Sequence, residues 1–309
     1  MRVGIPPQVL TSRALDWVLR NLNSFEPFIG TAEPNEARQQ ALVELAMLCM
    51  YLKRLPSFSA DSRLSIFLQF ISHIYHLPLF RDRLVRNPSD FIPQAMIVVA
   101  LRATGFLKGD YECCLVQQII DNTNVCLLER PPYALLELRH LLDLGRFSHR
   151  LSSYGVLYRA SIAAKLTKFS SLVSISDRDA YSVTHTLFFL SDFGFQSIKT
   201  ISPAAMKRIL PFIEILLGMY IQAGDWDLVG ELMLSCHCLR SVESEFYRLG
   251  WRALIEAQWD DGAVPGPYYD HSKAGEKKGE ELRDYFFSTC YHTTLVSALV
   301  GALCPYTDK

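Results

Sequence analysis

Signals for β-strands are nearly missing from this chain. No run of alternating β-branched residues is bounded by Asn-Gly or Asp-Gly, and helical spacing dominates. The expected fold class is therefore all-α. No Gly/Ser-rich or Pro-rich linker divides the 309 residues, so a single domain over 1–309 is expected, although chains of this length often split. Charge of one sign is also lacking: a net charge of −1 gives no electrostatic case for nucleic acid or an anionic membrane as partner. The start, Met-Arg-Val-Gly-Ile-Pro-Pro, has no apolar signal core. Apolar runs such as Ile209 to Ile221 are interrupted by Pro211 and Glu214 and are too short to cross a bilayer, so no membrane span is expected. No Walker loop, dinucleotide fingerprint, Gly-x-Ser-x-Gly elbow or His-Glu-x-x-His helix occurs, which leaves nucleotide-bound redox, P-loop phosphoryl transfer and serine hydrolysis poorly supported.

What is present is apolar residue in quantity, 50% of the chain, enough for a large core. Eight cysteines would allow disulfides, but Cys49, Cys113, Cys126 and Cys290 fall inside helical apolar patterns, where free buried thiols are common. A reducing, cytoplasmic location is expected. The periodicity gives about a dozen helices joined by short turns. Pro34-Asn35-Glu36 opens a long one, Asn87-Pro88-Ser89 and Pro131-Pro132 start others, Tyr154 to Leu166 reads as one, and Ser202-Pro203 starts another that ends at Gly224. Gly105, Gly145, Gly194 and Gly224 each close a helix that a second helix follows. That spacing is near the period of helical repeats, about 30 to 50 residues. Two architectures follow, an α/α toroid of about six hairpins or an open helical solenoid.

The segment from Asp179 to Gly194 carries the most chemistry. It reads as one helix, capped by Asp179 and ended by Gly194, with Tyr181, His185, Phe188 or Phe189, and Asp192 on one face. A phenol, an imidazole and a carboxylate on an apolar face must be satisfied inside the fold or used. His140 and His292 interrupt apolar helices in the same way. If these helices line a ring, three imidazoles could converge on its lumen and act as general acid or base near neutral pH. Asp143, Asp192 and Tyr181 would orient them. The plainer reading is that each bonds a backbone carbonyl or a hydroxyl such as Thr184 or Thr294.

Near the C-terminus, Gln258-Trp-Asp260-Asp261-Gly262 ends a helix in a polar turn. It resembles the Gln-x-x-Asp-Gly turn of α/α-toroid enzymes such as triterpene cyclases and protein prenyltransferase β-subunits, and Tyr291 to Leu299 looks like the inner helix that follows it. The resemblance covers about the last sixth of the chain and implies a toroid with an apolar central cavity. Residues 263–282, with Tyr268, Tyr269 and a charged run from Lys273 to Glu281, read either as a lid over the mouth or as a solvated insertion. Cys236-His237-Cys238 is the most metal-like cluster, and more distantly resembles the zinc-binding Cys-His of lanthionine cyclases. The Gly that follows in that family is Cys238 here, and Trp226 is followed by Asp227 where the family has cysteine. Adjacent helical residues also point about 100° apart, so buried cysteines beside a histidine are favoured. Ser176-Asp177-Arg178-Asp179-Ala180 resembles the acid motif of class II terpene cyclases, but Ala180 stands where the proton-donating aspartate belongs. Asp260-Asp261 lacks the later aspartate of magnesium-dependent ionisation, since Val264 holds that position.

These readings lead to an expected enzyme that cyclises, isomerises or eliminates from an apolar metabolite or modified peptide, of the natural-product biosynthetic kind. His185, His292 and His140 would be the acid/base set with Asp192 and Tyr181 orienting them, and Phe189, Asp260, Asp261 and Tyr268 would contact substrate. No metal and no cofactor is expected. The alternative is a non-catalytic helical-repeat binding module or partner subunit, with a protein partner.

Overall fold

The helices follow from caps and apolar stripes that the sequence carries. The computed structural model describes residues 7–28, 34–86, 91–166 and 175–306. Among these are fifteen α-helices and one short 3-10 helix, with no strand. They are α1 (Pro7–Arg20), α2 (Glu36–Lys53), α3 (Ser62–Tyr75), α4 (Pro78–Arg86), α5 (Phe91–Ala103), α6 (Tyr111–Asn122), α7 (Pro132–Leu144), α8 (Tyr154–Ala160), α9 (Ile162–Leu166), α10 (Asp177–Ser191), α11 (Pro203–Ala223), α12 (Trp226–Cys238), α13 (Glu245–Ala257), α14 (His271–Glu276) and α15 (Gly279–Leu303). The all-α class is thus observed. The expected cap at Asn87-Pro88-Ser89 lies outside the described residues.

Side-chain caps fix seven of the starts among the described residues. Asn35 accepts from the Arg38 amide, Asp61 from Arg63, Ser202 from Ala205 and Asp225 from Leu228. Gly224, at φ +71°, ends α11 in the left-handed conformation that glycine adopts at least cost. Two expectations are corrected. Tyr154 to Leu166 is not one helix: Ser161 takes an extended conformation, φ −73° and ψ 160°, and divides α8 from α9. And α10 begins before Asp179, which sits at its third position in a reciprocal capping box with Ser176. It ends at Asp192 rather than Gly194, because Asp192, Phe193 and Gly194 all take positive φ.

Six helices pack in a cycle. α2 lies on α5, α5 on α7, α7 on α10, α10 on α12, α12 on α15, and α15 returns to α2. Each also packs at least one helix from outside the cycle, among them α3 on α2, α6 on α5, α8 on α7, α9 on α10, α11 and α13 on α12, and α1 on α15. One apolar core runs from Leu10 to Cys304. α12 is buried on nearly every face, from Asp227 to Cys236, as expected of a helix surrounded by others. α15 is long and apolar enough to cross a membrane by length and composition, but over half of that stretch is buried in the fold. All eight cysteines are free.

Candidate active site

The buried face of α12 carries two carboxylates one helical turn apart, Asp227 and Glu231, among residues that are otherwise mostly apolar. Burying an unpaired carboxylate costs several kcal/mol, so the neighbours must answer them. Tyr181 on α10 donates to Asp227 Oδ2 at 2.6 Å, and Thr293 on α15 donates to Asp227 Oδ1 at 3.3 Å. Thr184 donates to Glu231 Oε2, and His185 Nε2 lies 3.3 Å from Glu231 Oε1. From α15, His292 Nε2 lies 3.4 Å from Asp227 Oδ1 and 3.8 Å from Glu231 Oε1. The other nitrogen of His292, Nδ1, lies 2.7 Å from Glu44 Oε2 on α2. Donor atoms of Asp227, Glu231 and His292 all fall within 4.8 Å of one another.

Of these groups, Glu44, His185, Glu231 and His292 border a cavity of about 110 Å³ lined by five helices of the cycle, and Asp227 lies behind its wall. Its walls include Leu48, Phe188, Phe189 and Leu234, and Glu44, Glu137, His185, Glu231 and His292 supply most of its polar surface. The volume holds several waters, yet is below the range of a typical drug-sized pocket, about 300 Å³ or more. His185 and His292 are enclosed by protein but keep 32% and 38% of their side chains accessible. Aromatic rings of Tyr133, Tyr181, Phe188 and Phe189 surround His185.

Charge follows from this arrangement. Burial disfavours a proton on His185, but Glu231 and Glu137 outweigh it and raise its pKa. For His292 burial is likewise outweighed, by Glu44 and Asp227, and the shift upward is large. Burial acts against ionised Glu231, but His185 and His292 reverse it and hold its pKa low. Asp227 and Glu137 are pushed up by burial. His185 Nδ1 is buried without a hydrogen-bond partner.

The expected convergence of three imidazoles is corrected for one. His140 joins a different cluster, with Nε2 3.1 Å from the Tyr51 hydroxyl and 3.4 Å from Asp192 Oδ1. Arg54 closes that cluster with two hydrogen bonds to Asp192, at 3.0 and 2.6 Å. Asp192 therefore does not orient His185. Burial pushes the His140 pKa down to about 4 and keeps the ring neutral. Phe189 stands between the clusters, its ring centroid 5.7 Å from that of His140 and 6.0 Å from that of His185.

The remaining expected residues lie elsewhere. Asp260 is exposed and 3.6 Å from Arg13, Asp261 caps its own turn through the Ala263 amide at 3.0 Å, and Tyr268 is 85% exposed. None lines the cavity. Gln258 closes the turn instead of meeting a ligand: its amide donates to Leu10 and Gly262 carbonyls at 3.0 and 3.1 Å. Residues 263–282 run along α15, with Gly266 N bonded to Thr289 O and Asp270 N to the Tyr285 hydroxyl, and contribute nothing to the cavity lining. Cys236 and Cys238 are buried core residues whose thiols burial pushes up.

Sequence reasoning passed over Glu44, Glu137, Asp227 and Glu231. The readable signal was Asp227-x-x-x-Glu231, two acids on one face of an apolar helix. A family model matches residues 11–302, and its description is a domain of unknown function, DUF6895. The chain belongs to the DUF6895 family. No curated protein and no solved structure matches this DUF6895 chain.

Proposed function

We propose that the six-helix cycle is a closed α/α toroid and that the protein is an enzyme acting on a small apolar molecule, or the apolar end of a larger one, in its central cavity. The reaction class is proton-transfer chemistry: isomerisation, elimination or cyclisation. One observation carries the reading. Two partly accessible imidazoles, each paired with a carboxylate, face a largely apolar cavity. His185 is the proton carrier, since Glu231 holds its imidazolium and general acid/base catalysis works best with a group that changes charge near the working pH. Tyr181 and Thr184 fix the carboxylates from behind. His185 Nδ1, buried without a partner in the fold, adds support, because a bound molecule would supply the missing partner. The competing reading, a binding module without chemistry, expects every histidine satisfied within the fold and no shared cavity. His140 fits it; the unpaired Nδ1 of His185 and the cavity that His185 shares with His292 do not.

The test is to incubate the protein with small-molecule extract from its own source in D₂O and follow the extract by mass spectrometry. The wild type should consume a low-mass feature, or add deuterium to it, and His185→Ala should not. No changed feature, or the same change with His185→Ala, would overturn the reading.

A further inference from the structure

We infer that Asp227, Glu231 and His292 bind a divalent transition-metal ion at the wall of the cavity, which Glu231 and His292 line. The inference takes the cavity from the functional reading above but not its chemistry.

Three observations converge on it. The first is spacing. Tetrahedral ligands at about 2.1 Å from a metal stand about 3.4 Å from each other. His292 Nε2 is 3.4 Å from Asp227 Oδ1 and 3.8 Å from Glu231 Oε1. The helices set this spacing: Asp227 and Glu231 stack one turn apart on α12, and His292 faces them from α15. The second is orientation. Metal-bound imidazoles donate their other N–H to a carboxylate, which fixes the tautomer and makes the ring a better donor to the metal. Glu44 holds that place, 2.7 Å from His292 Nδ1, and so turns Nε2 as a lone pair toward the two acids. Asp227 and Glu231 are each held in the same way, by Tyr181 and Thr184. The third is charge. Glu44, Asp227 and Glu231 put three carboxylates around His292 and His185. Glu137 lines the same cavity, so carboxylates outnumber imidazoles there, which favours a bound cation.

Two oxygen donors and one imidazole suit zinc, manganese or iron(II). Calcium and magnesium prefer all-oxygen sets, and copper(I) prefers sulfur. Three protein ligands leave further positions free, as catalytic centres do, and Glu231 and His292 connect the site to the cavity. His185 stays outside the three-donor set, beside the ion, where it can move a proton to or from a bound group. The site is separate from Cys236 and His237, which are absent from this donor set.

The experiment uses the full chain, stripped with EDTA and dialysed, then titrated separately with Zn²⁺, Mn²⁺ and Co²⁺. Calorimetry reads stoichiometry, and the cobalt visible spectrum reads coordination number. We expect one equivalent in the wild type, in Cys236→Ser and in His185→Ala. Asp227→Asn and His292→Ala should lose that equivalent while keeping the wild-type far-UV circular dichroism. Glu44→Gln, a positioning change, should weaken binding by about 10- to 100-fold without abolishing it. If a variant fails to fold, its partner on the other helix answers the same question. No stoichiometric binding of any of the three ions, or binding that survives His292→Ala but not Cys236→Ser, overturns the inference. The two proposals part cleanly: turnover by a protein that binds none of the three ions would remove the metal and spare the enzyme, and a bound metal with no turnover would do the reverse.

Discussion

Arg54→Ala probes the second cluster most directly. The guanidinium makes two hydrogen bonds to Asp192, whose side chain is only 5% accessible. Arg54 itself is 33% accessible, so the pair as such contributes little. The cost comes from what truncation leaves behind. Deleting one partner of a buried ion pair strands the other charge, at about 3–5 kcal/mol. The guanidinium also stacks 3.7 Å from the centre of the Phe195 ring, a contact worth about 0.5–1 kcal/mol. Because water reaches the Arg54 side of the pair, the expected loss is toward the lower end, about 3 kcal/mol at pH 7. It should appear as a fall in the urea midpoint with the slope unchanged. The loss should shrink toward pH 5. Once the cation is gone, Asp192 draws a proton onto His140, 3.4 Å away, and the imidazolium replaces the guanidinium. Arg54→Ala with Asp192→Asn should recover most of the loss, since no stranded charge remains. A loss under about 1 kcal/mol, or an equal loss in the double variant, would refute the reasoning.

Other expectations concern the same framework. His140 has its pKa lowered by burial to about 4 from 6.5; the unfolded chain takes the proton first, so stability should fall as pH drops from 6.5 to 4, by about 3 kcal/mol at 1.36 kcal/mol per unit. His140→Gln removes that titration, and its urea midpoint should vary less with pH across the window; equal slopes would count against a neutral buried His140. Gly262 takes φ +93°, and an added Cβ would stand 2.1 Å from the Arg13 carbonyl oxygen; because backbone cannot yield as a side chain can, Gly262→Ala should cost about 2 kcal/mol or more, and an unchanged thermal midpoint would contradict it. Phe189→Ala should open the wall between the two clusters at about 3–5 kcal/mol, whereas Phe189→Leu keeps most of the bulk and should cost under about 1.5 kcal/mol; chemical denaturation of the two variants checks the contrast.

The helical class was legible because caps and apolar periods are local. Asn35, Asp61, Ser202 and Asp225 cap in the structure as their types suggest. The end of α10 was less legible. Gly194 is the residue that best tolerates positive φ, but Asp192 and Phe193 adopt it first. Asp192 can do so because Arg54, 138 positions away in sequence, holds its carboxylate. That long-range contact left no local mark, and it carries Asp192 away from His185 and into the His140 cluster.

The central acids show the same limit from the other side. In Asp225-Trp-Asp227-Leu-Val-Gly-Glu231, acids near a helix start look like ordinary dipole complements. Their burial depends on α10 and α15 closing around α12, which no window of sequence displays. Besides the spacing of the two acids, Gly230 is a local clue. A Cβ there would stand 2.6 Å from Val296 Cγ1 on α15. A glycine in mid-helix costs about 1 kcal/mol relative to alanine. Here that loss is offset by close approach of α15 to α12, on the same turn that presents Glu231. The position that weakens the helix is thus the position that lets His292 reach the two carboxylates.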